Sequence, residues 1–60
     1  MTPAAFKAAR KALHHTQETL ARAWGMGKNG ARTIRRWEDG HKPIPDERAD
    51  ALRDMLEGEE

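Results

Sequence analysis

An all-α fold of four short helices is what this sequence predicts. Ten of its 60 residues are alanine; leucine, arginine, lysine and glutamate are frequent, and valine and tyrosine are absent. That is the chemistry of helices rather than strands. The larger apolar residues recur three and four apart, the spacing that lines one face of a helix. Glycine and proline cluster at the edges of these periodic stretches, where chains turn.

The first helix is expected at about residues 3–13. Thr2 suits its N-cap, and Pro3 its first position, where an amide hydrogen has no intrahelical partner. Phe6, Ala9 and Leu13 form the inner face and leave Lys7 and Lys11 outside. The second helix is expected at about 17–24, capped by Thr16, with Glu18 near its positive end and Leu20, Ala21 and Trp24 turned inward. Thr19 stands where a glutamate often completes a capping box, so the box is expected to be incomplete. Gly25 suits the left-handed residue after the helix, and Gly27, Asn29 and Gly30 extend the turn. The third helix is expected at about 31–38, capped by Asn29, with Ile34 and Trp37 inward and Asp39-Gly40 ending it. Pro43-Ile44-Pro45 is too stiff to be helical and crosses the surface extended, Ile44 plugging the core. The fourth helix is expected at about 46–57, with Ala49, Leu52 and Leu56 inward and Gly58 at its end. The predicted core is Leu13, Leu20, Trp24, Ile34, Trp37, Ile44, Leu52 and Leu56, with Phe6 on the inner face of the first helix.

Residues 1–60 are enough for a single domain of marginal stability. Twelve apolar residues larger than alanine hold a few helices together, but they do not also wall off a dry pocket of roughly 300 Å³ or more. Catalysis is therefore disfavoured, and no serine is present to act as a nucleophile. The absence of cysteine excludes disulfides and thiolate metal sites. His14 and His15 are adjacent, point in different directions and lack a nearby carboxylate, so no metal site is expected. Neither a cofactor nor a small-molecule ligand is expected. There is no leader-like apolar run and no stretch long enough to span a membrane, which makes the cytoplasm the expected location.

The charge is sharply divided. Residues 1–42 carry nine Lys and Arg against three Asp and Glu, whereas residues 43–60 carry two against seven. The basic part attracts a polyanion, and the acidic part limits indiscriminate sticking. Arg32 and Arg36 are four apart and share one face of the third helix. An arginine there bonds guanine through O6 and N7 and discriminates by roughly 1–3 kcal/mol. Arg35 points to a flank, toward phosphate. Lys28 and Lys42 sit in the loops that bracket this helix and suit phosphate contacts. Trp24 and Trp37 would be able to stack on exposed bases, but their inward spacing assigns them to the core. Ala51 and Met55 are expected to be exposed beside the inner stripe of the fourth helix, as a possible dimer seam.

Two short helices joined by a glycine-rich turn, the second rich in arginine, outline a helix-turn-helix. Thr16-Gln17-Glu18-Thr19-Leu20-Ala21-Arg22-Ala23-Trp24-Gly25, followed by Thr33-Ile34-Arg35-Arg36-Trp37-Glu38-Asp39-Gly40 and then Pro43-Ile44-Pro45, resembles the Cro/CI-type (lambda-repressor-like) helix-turn-helix family over most of the chain. The resemblance implies a role for each matching position. Gln17 would bond a backbone phosphate, helped by the amides that begin its helix. Ala21 would be the small residue that lets the two helices approach. Ala31, Arg32 and Arg36 would face base edges, and Thr33 would touch phosphate. Arg10 and Glu38 would form an ion pair between the first and third helices. The turn is longer here than is common in the family, which gives Lys28 and Asn29 the chance of DNA-backbone or base contacts of their own. Many relatives have a fifth helix; without one, some core would be covered by a second subunit.

The expected function is sequence-specific binding of double-stranded DNA by a transcriptional regulator. It would be a repressor or autoregulator of a bacterial, phage or mobile-element operon, acting as a homodimer on an inverted repeat with half-sites roughly 34 Å apart. Two other readings stand beside it. One is an antitoxin-type DNA-binding protein whose other surface holds a toxin. The other is a helical protein-interaction module whose arginines are merely solvated.

Overall fold

Helix starts in this chain follow from local capping chemistry. The computed structural model describes residues 1–58 and contains four helices in order: α1 (Pro3–Ala12), α2 (Gln17–Ala23), α3 (Gly30–Asp39) and α4 (Asp46–Glu57), with no strand among the described residues. Glu59 and Glu60, counted in the acidic segment, lie outside them. Thr2 Oγ1 accepts from the Ala5 amide at 3.1 Å and caps α1, with Pro3 at its first position. The helix stops at Ala12, one residue short of the expectation. Leu13 serves as its C-cap, and His14 takes the left-handed conformation (φ 61°) that a residue with a Cβ seldom adopts.

The capping box of α2 is complete, contrary to the sequence-based expectation. Thr16 Oγ1 accepts from Thr19 N at 3.1 Å, and Thr19 Oγ1 accepts from Thr16 N at 2.8 Å. A hydroxyl at this position reaches back as a glutamate carboxylate would, because the partner amide lies close. Trp24 ends the helix as its C-cap, one residue earlier than expected, and Gly25 and Gly27 follow with φ of 66° and 79°. Asn29 is the N-cap of α3, but its side chain makes no capping bond. The helix runs one residue further at each end than the pattern predicts. It closes on left-handed Gly40, with the His41 amide donating back to Arg36 O at 3.0 Å. Pro45 precedes α4 in extended conformation, and its carbonyl accepts from the Arg48 and Ala49 amides, both at 3.0 Å.

Each helix contributes one fully buried large side chain to the centre: Phe6, Leu20, Ile34 and Leu52. Leu13, Ala21, Trp37 and Ala49 complete the buried hydrophobic set. Burying each large side chain is worth about 1.5–3 kcal/mol, a large fraction of the net stability of a domain this small. Phe6 is the hub of the aromatic packing, edge-on to Trp37 at 5.8 Å and to Trp24 at 6.3 Å between centroids. Trp24, Ile44 and Leu56 were expected inside, yet all three are half-buried at the margin of the core. For Trp24 the reason is visible. It sits at the end of α2, packed against Phe6 and under the guanidinium of Arg48, whose Cζ is 5.3 Å from the ring centroid. No described helix is long and apolar enough to cross a membrane.

Candidate nucleic-acid interface

The α2–turn–α3 unit is set by the smallest side chains available. Gly30 begins α3 and is buried against α2. A Cβ placed on it would lie 2.6 Å from Ala21 Cβ and 2.7 Å from Met26 Cβ, closer than real carbon atoms approach. Ala21 is thus the small residue of the approach, as the resemblance implies, and Gly30 is its counterpart. The sequence places Gly30 in the glycine-rich turn and in the first turn of the third helix, without showing this contact. Its place four residues before Ile34 and seven before Trp37 puts it on the buried stripe, but how closely α2 approaches there is set by the angle between the helices. The turn closes through Gly25 N to Arg22 O at 3.1 Å and Met26 N to Ala21 O at 2.9 Å.

With Gly30, Ile34 and Trp37 buried, the other face of α3 is fixed outward. Arg32, Arg35 and Arg36 are exposed on it, and Ala31 and Thr33 are half-buried on its flanks. Arg35 leans toward Asp39 one turn later, 3.6 Å apart, with side chains 73% and 48% exposed. An ion pair that open to water is worth little and leaves Arg35 free to exchange partners. Thr33 Oγ1 donates to Asn29 O at 3.0 Å, so the hydroxyl proton expected to meet phosphate is engaged within the helix. Lys28 and Asn29 are exposed before α3, and Lys42 is exposed after it, so cationic groups bracket the helix at both ends.

Behind this face lies the expected ion pair. Arg10 Nε donates to Glu38 Oε2 at 2.7 Å and Arg10 Nη2 to Glu38 Oε1 at 3.1 Å, while Nη1 donates to the His15 carbonyl at 2.7 Å. The side chains are only 9% and 3% exposed. The pair ties α1 to α3, and the carbonyl after the His14 turn fixes the third edge of the guanidinium. Gln17, which the resemblance assigns to a phosphate, is half-buried and donates from Nε2 to Glu38 Oε1 at 3.4 Å. The Thr19 amide is already satisfied by Thr16, which removes one of the helix-start donors expected to assist it.

The possible seam residues lie apart from this surface, on α4. Ala51 and Met55 are half-buried rather than exposed, and Met55 packs against the core. Met55 follows buried Leu52 by three residues, so it lies beside the inner stripe and meets the margin of the core. An open groove of about 620 Å³ runs along the α2–α3 junction. Glu18, Arg22 and Lys28 supply its charged groups, and Ala21, Gly25, Gly27 and Ala31 line the rest. No group of three or more His, Cys, Asp or Glu that would hold a metal occurs among the described residues.

No family model matches the chain, and no solved structure matches it. Part of the chain is similar to curated proteins. It is 62% identical over 34 residues to a Type II methyltransferase, M1.ScrFI, from Lactococcus lactis subsp. cremoris, covering 57% of this chain and 9% of that protein. It is 54% identical over 37 residues to the Type II methyltransferase M.SsoII from Shigella sonnei, covering 62% of this chain and 10% of that protein. The chain therefore spans about a tenth of the length of the curated relatives it matches.

Proposed function

We propose that this chain is a helix-turn-helix module that binds double-stranded DNA sequence-specifically in the cytoplasm and regulates transcription, as a homodimer on an inverted repeat. The observation that carries the reading is the division of α3 into two faces. Gly30, Ile34 and Trp37 are buried, and Arg32, Arg35 and Arg36 stand exposed on the rigid helix that results. Guanidinium groups held this way offer base-edge contacts from Arg32 and Arg36 and phosphate contacts from Arg35, with Lys28 and Lys42 alongside. Ala31 presents a methyl group, which suits an apolar contact such as a thymine methyl. The similarity to short stretches of two Type II methyltransferases supports a module that also occurs inside larger proteins. Methyl transfer forms no part of the proposal for this chain.

Selection of bound duplexes from a random pool tests the reading. The expected result is one recovered motif with twofold symmetry. Titration with salt tests the contact mode. A dimer that neutralises roughly six to eight phosphates loses affinity with a log–log slope of about −5 to −7. A pool that yields no motif, with affinity indifferent to salt, would instead favour the protein-interaction module.

A further inference from the structure

We propose that the buried Arg10–Glu38 pair is a positioning device for DNA binding: Glu38 holds the Gln17 side-chain amide so that one N–H points inward and the other is presented to a backbone phosphate. The proposal rests on the DNA-binding reading and adds to it the group that orients the contact. Glu38 Oε1 accepts from both Arg10 Nη2 and Gln17 Nε2. A carboxylate in a bidentate pair with arginine is ionised and only accepts hydrogen bonds. Gln17 must therefore turn its NH₂ toward Glu38. A phosphate oxygen also only accepts, so it needs a donor, and the NH₂ group carries a second hydrogen for it. Free in water, a glutamine amide presents its oxygen as readily as its nitrogen, and half of its orientations repel phosphate. Here that choice is made before DNA arrives.

Arg10 makes the arrangement workable. Glu38 alone would set a negative charge close to an incoming phosphate. With Arg10 bonded through Nε and Nη2, the pair is neutral overall, and the His15 carbonyl keeps the guanidinium from turning away. Glu38 is thus the positioning residue and Gln17 the contacting one.

The chain contains one glutamine and one asparagine, so its two side-chain amides are readily told apart by NMR. Exposed Asn29 serves as the internal reference. In the free protein, the Gln17 amide protons should exchange with water more slowly than those of Asn29, with one shifted downfield. Gln17 protons that behave like those of Asn29 would overturn the proposal. In DNA binding, Gln17→Met should lose roughly tenfold in affinity with no change in salt slope, because a neutral amide displaces no counterion. An unchanged affinity would likewise overturn it. Paired replacement of Arg10→Met with Glu38→Leu removes both charges without stranding either. In that background the loss from Gln17→Met should shrink by about half, to roughly fivefold, because a freed amide offers its nitrogen in half of its orientations; the same tenfold loss in both backgrounds would show that Glu38 does not orient the amide. If the paired variant does not fold, the amide exchange in the native chain and the Gln17→Met titration decide. If the native chain binds no duplex at all, the DNA reading falls and the phosphate contact with it, while the amide exchange separately reports whether Glu38 holds Gln17.

Discussion

At the residue scale, two positions separate what holds the surface from what the surface does. Gly30 has no room for a methyl group, since a Cβ would sit 2.6 Å and 2.7 Å from the Ala21 and Met26 Cβ atoms. Both obstacles are first side-chain carbons and move only with their backbones. Gly30→Ala should therefore push α3 away from α2. Overpacking of this kind costs about 1–3 kcal/mol, and in a domain this small each kcal/mol lowers the melting temperature by roughly 4–8 °C. Calorimetry checks it; an unchanged or raised midpoint would mean that the two helices separate at little cost. Arg36 is the opposite case. Its side chain is exposed on α3 away from the core, so Arg36→Ala should leave the melting temperature unchanged. On the proposed reading it relaxes selectivity at one base pair and weakens binding by about 1–3 kcal/mol. Competition between duplexes altered at single positions measures this, and selectivity equal to that of the native chain would remove Arg36 from the base-reading set. The two residues differ in how openly the sequence displays them. Arg36 is legible from its spacing to Arg32 and from the buried stripe opposite. The closeness at Gly30 depends on the angle between two helices, which no spacing along one chain records.

At the scale of the element, the helices were readable to within a residue at each end because their caps are local. Thr2, Thr16, Gly25 and Gly40 act on amides and carbonyls a few positions away, so sequence proximity is enough to find them. Where the reading went astray, the cause was reach. Thr19 stands where glutamate is the familiar residue, yet its hydroxyl lies 2.8 Å from the Thr16 amide and completes the box. Asn29 is the N-cap of α3 as its sequence position predicts, but by position alone, without a side-chain bond. Trp24 shares the inner stripe of α2 but sits at its end, where the stripe meets Arg48 rather than the core centre. The reciprocal box makes a prediction for α2 itself. Thr16→Ala should destabilise the protein by about 1 kcal/mol, and Thr19→Ala by a comparable amount, since each leaves one helix-start amide without its partner. In the double variant the losses should fall short of additive, because the two hydroxyls belong to one motif. Urea unfolding of the four proteins gives the comparison; strict additivity would mean that the two bonds act independently and the box is only a geometric coincidence.

At the scale of the molecule, the division of charge becomes a question of distance. Arginines and lysines dominate the first forty-two residues, and α4 carries Asp46, Glu47, Asp50, Asp54 and Glu57. The whole described structure measures 31 × 22 × 18 Å, so the acidic helix is never far from anything bound to α3. Electrostatic fields decay over about 30 Å at 0.01 M salt and about 8 Å at 0.15 M. The acids of α4 should therefore oppose a bound polyanion in dilute buffer and hardly at all near physiological salt. Asp50 and Asp54 are exposed, and the pairing of Asp50 with Arg53 at 4.0 Å is too open to water to matter for folding. Asp50→Asn with Asp54→Asn should leave stability nearly unchanged and leave intact Asp46 and Glu47, which favour the start of the helix. On the proposed reading, the variant binds random-sequence duplex several-fold more tightly than the native chain at 0.01 M salt, and the two curves converge by 0.15 M. The selected motif should gain by the same factor, because a long-range field does not distinguish sequences. Affinity titrations at the two salt concentrations check both statements. A difference that persists at high salt would place these carboxylates in direct contact with DNA and would require a docking pose other than the one α3 defines.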